Sequence, residues 1–312
     1  MMELAEYCLT GAVIVAGLAL LLNIGAVTSK KRALERAEAA TARELVGSAG
    51  PTVGGLPAPD YADYGVTPQA DTARTGSHGL AWYGTAFTVM SLLLLTAYIG
   101  IRMSVTGHGP FSNQHEFAVA FAWGILLAYL VFEWLYRLRA LSLAVLPVSL
   151  GMMVYAMNLD ATVNPLVPAL QNSVMLTLHV GFAVISYGTA CVSFAAAVLW
   201  LVRPKVKARW LPGQDTLDDI GYRAAALTFP LITIMIVLGA IWADTAWGRY
   251  WGWDPKETAA FVTWLIYGGY LHARVVRNWR GKKAAWLLVI GFAMVLFAYF
   301  GNHFFGGLHS YG

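Results

Sequence analysis

The side chains of this 312-residue sequence best suited to chemistry are a cluster of tryptophans, the charged residues that follow it and a few widely spaced histidines. Trp242, Trp247, Trp251 and Trp253 fall within twelve residues and lead directly into Asp254-Pro255-Lys256-Glu257. His179, His272, His303 and His309 stand apart from carboxylates and thiolates in the sequence. Such histidines suit the iron of a haem, for which axial imidazoles are the usual protein ligands, and flat indoles can stack on a porphyrin. Arg249 and Lys256 are the nearby cations able to meet its propionates. Plainer explanations exist for each residue alone. Tryptophans form interfacial belts, and a lone histidine on a membrane helix is more often a hydrogen-bonded structural residue. Four indoles in so short a window are denser than a belt requires.

These residues need elements that bring them together. Asp254 suits an N-cap, Pro255 the first helical position and Glu257 the reciprocal place of a capping box, so a helix is expected to start there. His272 lies 18 residues beyond the cap, about 27 Å along a helix, which is nearly the thickness of a bilayer core. The Trp segment and His272 are therefore expected near opposite faces of a membrane. Intramembrane ionisable groups are costly, which favours a functional role for His272, and Gly268 and Gly269 one turn before it would leave room for a flat ring.

Composition supports a membrane setting. The chain is 58% hydrophobic and 12% charged, with a mean hydropathy of +0.58, values foreign to a soluble domain of this length. Apolar runs near 5–27, 80–101, 117–136, 141–157, 173–201, 224–242, 258–275 and 284–305 predict an all-α polytopic membrane protein of about eight transmembrane helices. Placing both termini on the outer, non-cytoplasmic side leaves only Arg102, Arg249 and Lys256 of the 21 Lys and Arg outside, as the positive-inside rule requires. The formal charge of +4 then reflects topology and implies nothing about nucleic acid. With that orientation His179, the Trp loop of 242–257, and His303 or His309 converge on the outer face.

The expected organisation is an N-terminal transmembrane anchor over 1–28, a cytoplasmic linker over 29–78 with a helical start at 32–46, transmembrane helices two to four within 79–157, and a core over 158–312 that carries the site. The first span has acidic residues before it and basic ones after it, the reverse of a secretory signal, and reads as a retained anchor. His78, His108 and His115 are taken as solvated loop histidines, and Glu133 with Arg137 as an i,i+4 ion pair. Cys8 and Cys191 lie in different spans and form no C-x-x-C, so any thiol reductant must come from another protein. No phosphate-binding loop of the Walker type is present, which leaves ATP-driven transport unsupported.

The segments WGRYWGWDPKE, WLIYGGYLHAR and GLHSY resemble the WWD-domain haem-handling family, most closely the CcsA/ResC-type component of the system II cytochrome c synthase, over roughly 158–311. The resemblance implies cytochrome c biogenesis: delivery of haem b (iron protoporphyrin IX) across the membrane and its covalent attachment to the CxxCH motif of apocytochrome c, an activity of a holocytochrome c synthase, or haem lyase, component. It implies a CcsB/ResB-type membrane partner, an upstream thiol-reducing protein and a place in the plasma membrane, or in the thylakoid membrane for a plastid-derived chain. By the same resemblance His179 and His309 match the outer haem ligands, which with Asp254 would form the reacting site, and His272 matches an embedded histidine paired with a ligand from the partner subunit. His303 has no counterpart in the motif. A haem-binding electron-transfer subunit of the cytochrome b kind is the alternative, and normal c-type cytochrome assembly in a deletion strain would favour it.

Overall fold

The computed structural model describes the backbone of residues 1–47, 79–163, 166–171, 173–206, 211–301 and 305–309, with their side chains except those of 30–47 and 173. Among the described residues there is no strand, and eight long helices occupy the eight apolar runs of the sequence: α1 (Met2–Gly47), α2 (Leu80–Thr106), α3 (Gln114–Tyr136), α4 (Ser142–Met157), α5 (Ser173–Val202), α6 (Gln214–Trp247), α7 (Pro255–Val276) and α8 (Lys282–Phe300). Seven of them are long and apolar enough to cross a membrane. The exception is α7, whose apolar stretch is diluted by Lys256, Glu257, His272 and Arg274.

The first helix is longer than the sequence suggested. The anchor and the helical start read at 32–46 form one continuous α1, because Ala, Glu, Leu and Arg are strong helix formers and no Gly or Pro interrupts them between Gly25 and Gly47. The rest of the linker, with His78, lies outside the described residues.

Packing makes α3 and α5 the centre of the bundle. Of their apolar windows, 67% and 72% are buried, against 28% in α1, α2 and α6. Two glycines allow the central pair to approach: a Cβ on Gly188 would lie 2.3 Å from the Gly124 carbonyl oxygen, and one on Gly124 would lie 2.5 Å from that of Val184. Small residues at such crossings give membrane helices their close packing. The neighbours α1 with α2 and α5 with α6 pack along their lengths.

Antiparallel succession gathers the α2–α3, α4–α5 and α6–α7 connections and the segment after α8 at one end of the bundle. That end is pinned by a polar cluster the sequence had not announced. His115 belongs to α3 and is only 3% exposed, which corrects its reading as a solvated loop histidine. Its ring pairs with the Tyr98 hydroxyl, and its Nδ1 donates to the Ala156 carbonyl at 2.8 Å. Beside it Arg102 and Glu116 form a fully buried ion pair at 2.6 Å. Arg102 also donates to the Ala161 carbonyl, and Glu116 accepts from the amide and hydroxyl of Ser112. One pair of charges thereby ties α2 and α3 to both neighbouring loops. His108 stays in the α2–α3 loop, half-buried, with Nδ1 on the Gly109 carbonyl.

At the other end Glu133 pairs with Arg139 at 3.1 Å and not with Arg137. Arg137 caps α3 in the left-handed conformation, φ 55°, which takes it off the helical path an i,i+4 pair needs.

Candidate functional site

The sequence from Gly252 to Glu257 folds as the spacing of its polar residues dictates. Trp253 takes a left-handed φ of 53°, turning the chain so that Asp254 enters α7 as its N-cap. The Asp254 carboxylate accepts from the Lys256 amide at 2.9 Å, and Glu257 accepts from the amides of Gly252 and Asp254 at 2.8 and 3.1 Å. The expected capping box is complete.

The same carboxylate reaches a distant segment. Asp254 Oδ2 accepts from the Leu308 amide at 2.7 Å, and Oδ1 accepts from His309 Nδ1 at 2.9 Å. A carboxylate can only accept here, so the proton sits on Nδ1. Burial alone would raise the Asp254 carboxyl, but the His309 imidazole and the Lys256 and Leu308 amides outweigh it and hold the group well below the usual carboxylate range. Burial lowers the His309 pKa against the pull of Asp254. Gly307 makes the contact possible, since a Cβ there would lie 2.2 Å from Asp254 Oδ2.

His179 is held in a similar way from another direction. Its Nδ1 donates to the Met235 carbonyl at 2.8 Å, so α6 fixes a ring carried by α5. A Cβ on Gly239 would lie 2.7 Å from the His179 Cε1, and only glycine lets the imidazole lie against α6 at that point. Two histidines 130 positions apart in the sequence are thus each anchored through Nδ1, the arrangement that directs Nε2 toward a metal.

Trp242 joins them. It is 2% exposed, donates from Nε1 to the Ala169 carbonyl at 3.1 Å, lies nearly parallel to His179 with ring centroids 6.2 Å apart and stands 5.8 Å from His309. Trp247 meets both Trp242 and His309 edge-on, at 4.7 and 4.8 Å. Helix α6 is about 51 Å long, more than the roughly 30 Å of a bilayer core, and these indoles occupy its last turns.

A cavity of about 1230 Å³, counted to its open mouth, is lined by His179, His309, Trp242, Trp251, Lys256 and Glu257 together with apolar side chains of α5, α6 and α8. Phe111 to Gln114 and Phe117 line it as well, so the α2–α3 loop and the start of α3 contribute. Lys256 lies over the Phe117 ring, 4.7 Å from its centroid. Burial pushes its ammonium down to about 8, with Asp254 pulling it back up.

Other sequence candidates sit apart. Trp253 is 67% exposed and stacks edge-on with Trp251. Arg249 is exposed, its guanidinium close to Gly252. His272 is exposed on α7. Gly268 serves helix packing, against Phe229, while the space beside Gly269 is open. His303 lies outside the described residues. The lining residues Phe111 to Gln114 and Phe117 were missed by sequence reasoning. Asn113-x-x-Glu116 was the available signal, a helix start that places His115 and Glu116 inside α3.

Among the described residues no three His, Cys, Asp or Glu gather to hold a bare metal ion. Two imidazoles in an aromatic, mostly apolar cavity fit a haem instead, which brings its own equatorial nitrogens and asks the chain for axial ligands.

Helical bundle and site together define a polytopic membrane protein of haem-handling type, and the sequence comparisons agree. The chain belongs to the cytochrome c assembly protein family, which its residues 111–309 match. Within the family the likeness is to the CcsA type. The cytochrome c biogenesis protein CcsA of Guillardia theta is 35% identical over 259 residues, covering 74% of this chain and 86% of that protein. The CcsA of Picosynechococcus sp. (strain PCC 7002) is 33% identical over 301 residues, covering 75% and 89%. Among solved structures, the cytochrome c heme lyase CcmF matches 96% of this chain with a TM-score of 0.60 at 17% identity, a likeness of fold. The chain spans 46% of the length of that structure.

Proposed function

We propose that this protein presents haem b for covalent attachment to the CxxCH segment of an apocytochrome c, on the outer side of the membrane, as a component of a holocytochrome c synthase. The observation that carries the reading is the pair of Nδ1-anchored imidazoles, His179 on Met235 and His309 on Asp254, beside one buried indole in one cavity. Bound there, the haem would supply the vinyl groups to which the two thiols of the substrate add. His179 and His309 would hold the haem iron through their Nε2 atoms. Asp254 keeps His309 in the tautomer that ligates through Nε2. Trp242 and Trp251 would wall the ring and keep water out, with Trp247 packed against Trp242 and His309, while Trp253 and Arg249, outside the cavity lining, are assigned to its outer approach. Lys256, inside the cavity, offers an ammonium to a propionate.

His272, exposed on α7, is assigned to haem entry from the cytoplasmic side with a ligand from a CcsB/ResB-type partner. Both termini then face outward, 158–312 forms the haem-handling part behind the anchor and linker, and the membrane is the plasma membrane or a thylakoid. Reduced substrate thiols come from a separate thiol-reducing protein, since Cys8 and Cys191 are single and apart.

The test is the absorption spectrum of the purified protein, co-expressed with its partner, alongside cytochrome c yield. His179→Gly and His309→Gly are each expected to lose the low-spin haem signature and cytochrome c formation, and added imidazole is expected to restore part of both. Full haem content and activity in both variants would overturn the ligand assignment.

A further inference from the structure

A second cavity lies at the opposite end of the bundle, enclosed by α1, α2, the last turns of α3 and the turn into α4, with about 1680 Å³ of space counted to its mouth. Nothing in the reading above uses it. Its inner wall carries the buried Glu133, whose carboxylate already accepts from Thr85, Tyr129 and Arg139. Among the described residues the charged ones lining it are Glu133, Arg137 and Arg139, a balance of one net positive charge.

Arg137 is the informative residue. It ends α3 at φ 55°, with its amide on the Glu133 carbonyl at 2.8 Å. Glycine takes that conformation at no cost, whereas a side chain with a Cβ costs about 1 kcal/mol. The side chain is exposed and makes no ion pair among the described residues. A guanidinium is therefore placed at the mouth in a position the helix end itself would give to glycine. Below it Val27, Val89 and Leu130 from three helices form an apolar strip beside the polar Asn23, Thr85, Glu133 and Ser142, and Trp82 and Trp134 stand 43% and 71% exposed on the flanks. Indoles so exposed on a membrane protein mark the headgroup level.

We propose that this cavity binds a phospholipid with a net negative headgroup, the phosphate meeting Arg137 and the free face of the Arg139 guanidinium and an acyl chain lying along Val89 and Leu130. Charge complementarity selects the headgroup, and the apolar strip of Val27, Val89 and Leu130 selects a lipid over a free anion. Arg137→Gly is a suitable probe because it relieves the left-handed backbone and leaves the Glu133–Arg139 pair intact.

The experiment is native mass spectrometry of the detergent-purified full chain, titrated in parallel with phosphatidylglycerol, phosphatidylcholine and inorganic phosphate. Wild type is expected to retain phosphatidylglycerol in preference to phosphatidylcholine. That preference is expected to fall roughly five-fold in Arg137→Gly, the worth of one arginine near an anionic surface, and further in Arg137→Glu, with thermal stability unchanged or slightly raised in Arg137→Gly. Equal binding of the two lipids by wild type, an unchanged preference in both variants, or occupancy by phosphate alone as strong as by the lipid would each overturn the proposal.

Discussion

His309 Nδ1 and Asp254 Oδ1 lie 2.9 Å apart although 55 positions separate them in the chain. One carboxylate therefore starts α7 and orients an imidazole at the same time, so the geometry of the candidate haem cavity is coupled to the register of a helix end.

The two duties of Asp254 can be separated. Asparagine caps a helix about as well as aspartate, yet it lacks the charge that holds Nδ1–H of His309. Asp254→Asn is expected to keep thermal stability within a few tenths of a kcal/mol of wild type while low-spin haem and cytochrome c yield fall about ten-fold, the usual cost of losing an outer partner of a metal-binding histidine. Asp254→Ala is expected to lose a further ~1 kcal/mol of stability. Denaturation midpoints read beside haem spectra check both, and wild-type haem content and cytochrome c yield in Asp254→Asn would show that capping is the only duty.

Gly239 and Gly181 form a matched pair. A Cβ at Gly239 meets the His179 ring at 2.7 Å, whereas one at Gly181 meets nothing within 4 Å. Gly239→Ala is expected to displace His179 and strip haem from the purified protein. Gly181→Ala, on α5 two residues from the same histidine, is expected to leave the spectrum unchanged and to add up to about 1 kcal/mol of helix stability. Identical spectra for the two alanine variants would mean that α6 does not set the His179 position.

Arg102 and Glu116 offer a test of the end cluster. Removing one partner of a buried ion pair leaves an uncompensated charge at a cost of roughly 3–5 kcal/mol, whereas replacing both with apolar residues of similar volume costs little. Arg102→Met and Glu116→Leu are each expected to lower the melting temperature and the amount of protein in the membrane, and the double variant is expected to recover most of both. A double variant no better than the worse single one would place the importance of Arg102 in its bond to the Ala161 carbonyl.

The sequence made the helix start at Asp254 legible because its signals are local: a cap, a proline and a glutamate at fixed offsets. The meeting of His179 with His309 was legible as topology, since alternate spans return to the same face. Side-chain contacts across the bundle were not. That Met235 would hold His179, and that Glu133 would choose Arg139 over Arg137, depend on helix rotation and on a left-handed cap, neither of which periodicity encodes. The buried Arg102–Glu116 pair was hidden for a related reason. A charged residue beside a loop reads as solvated until the loop is known to fold back over it.

The approach of Gly307 to Asp254 also orders events in time. At translation rates of about 5–20 residues per second, a separation of 55 residues means that Asp254 is synthesised roughly 3–11 s before His309. Its cap carboxylate waits through that interval without its imidazole. The outer cluster is thus completed last, and a nascent chain stalled in α8 has the Asp254 carboxylate but not the imidazole that it orients.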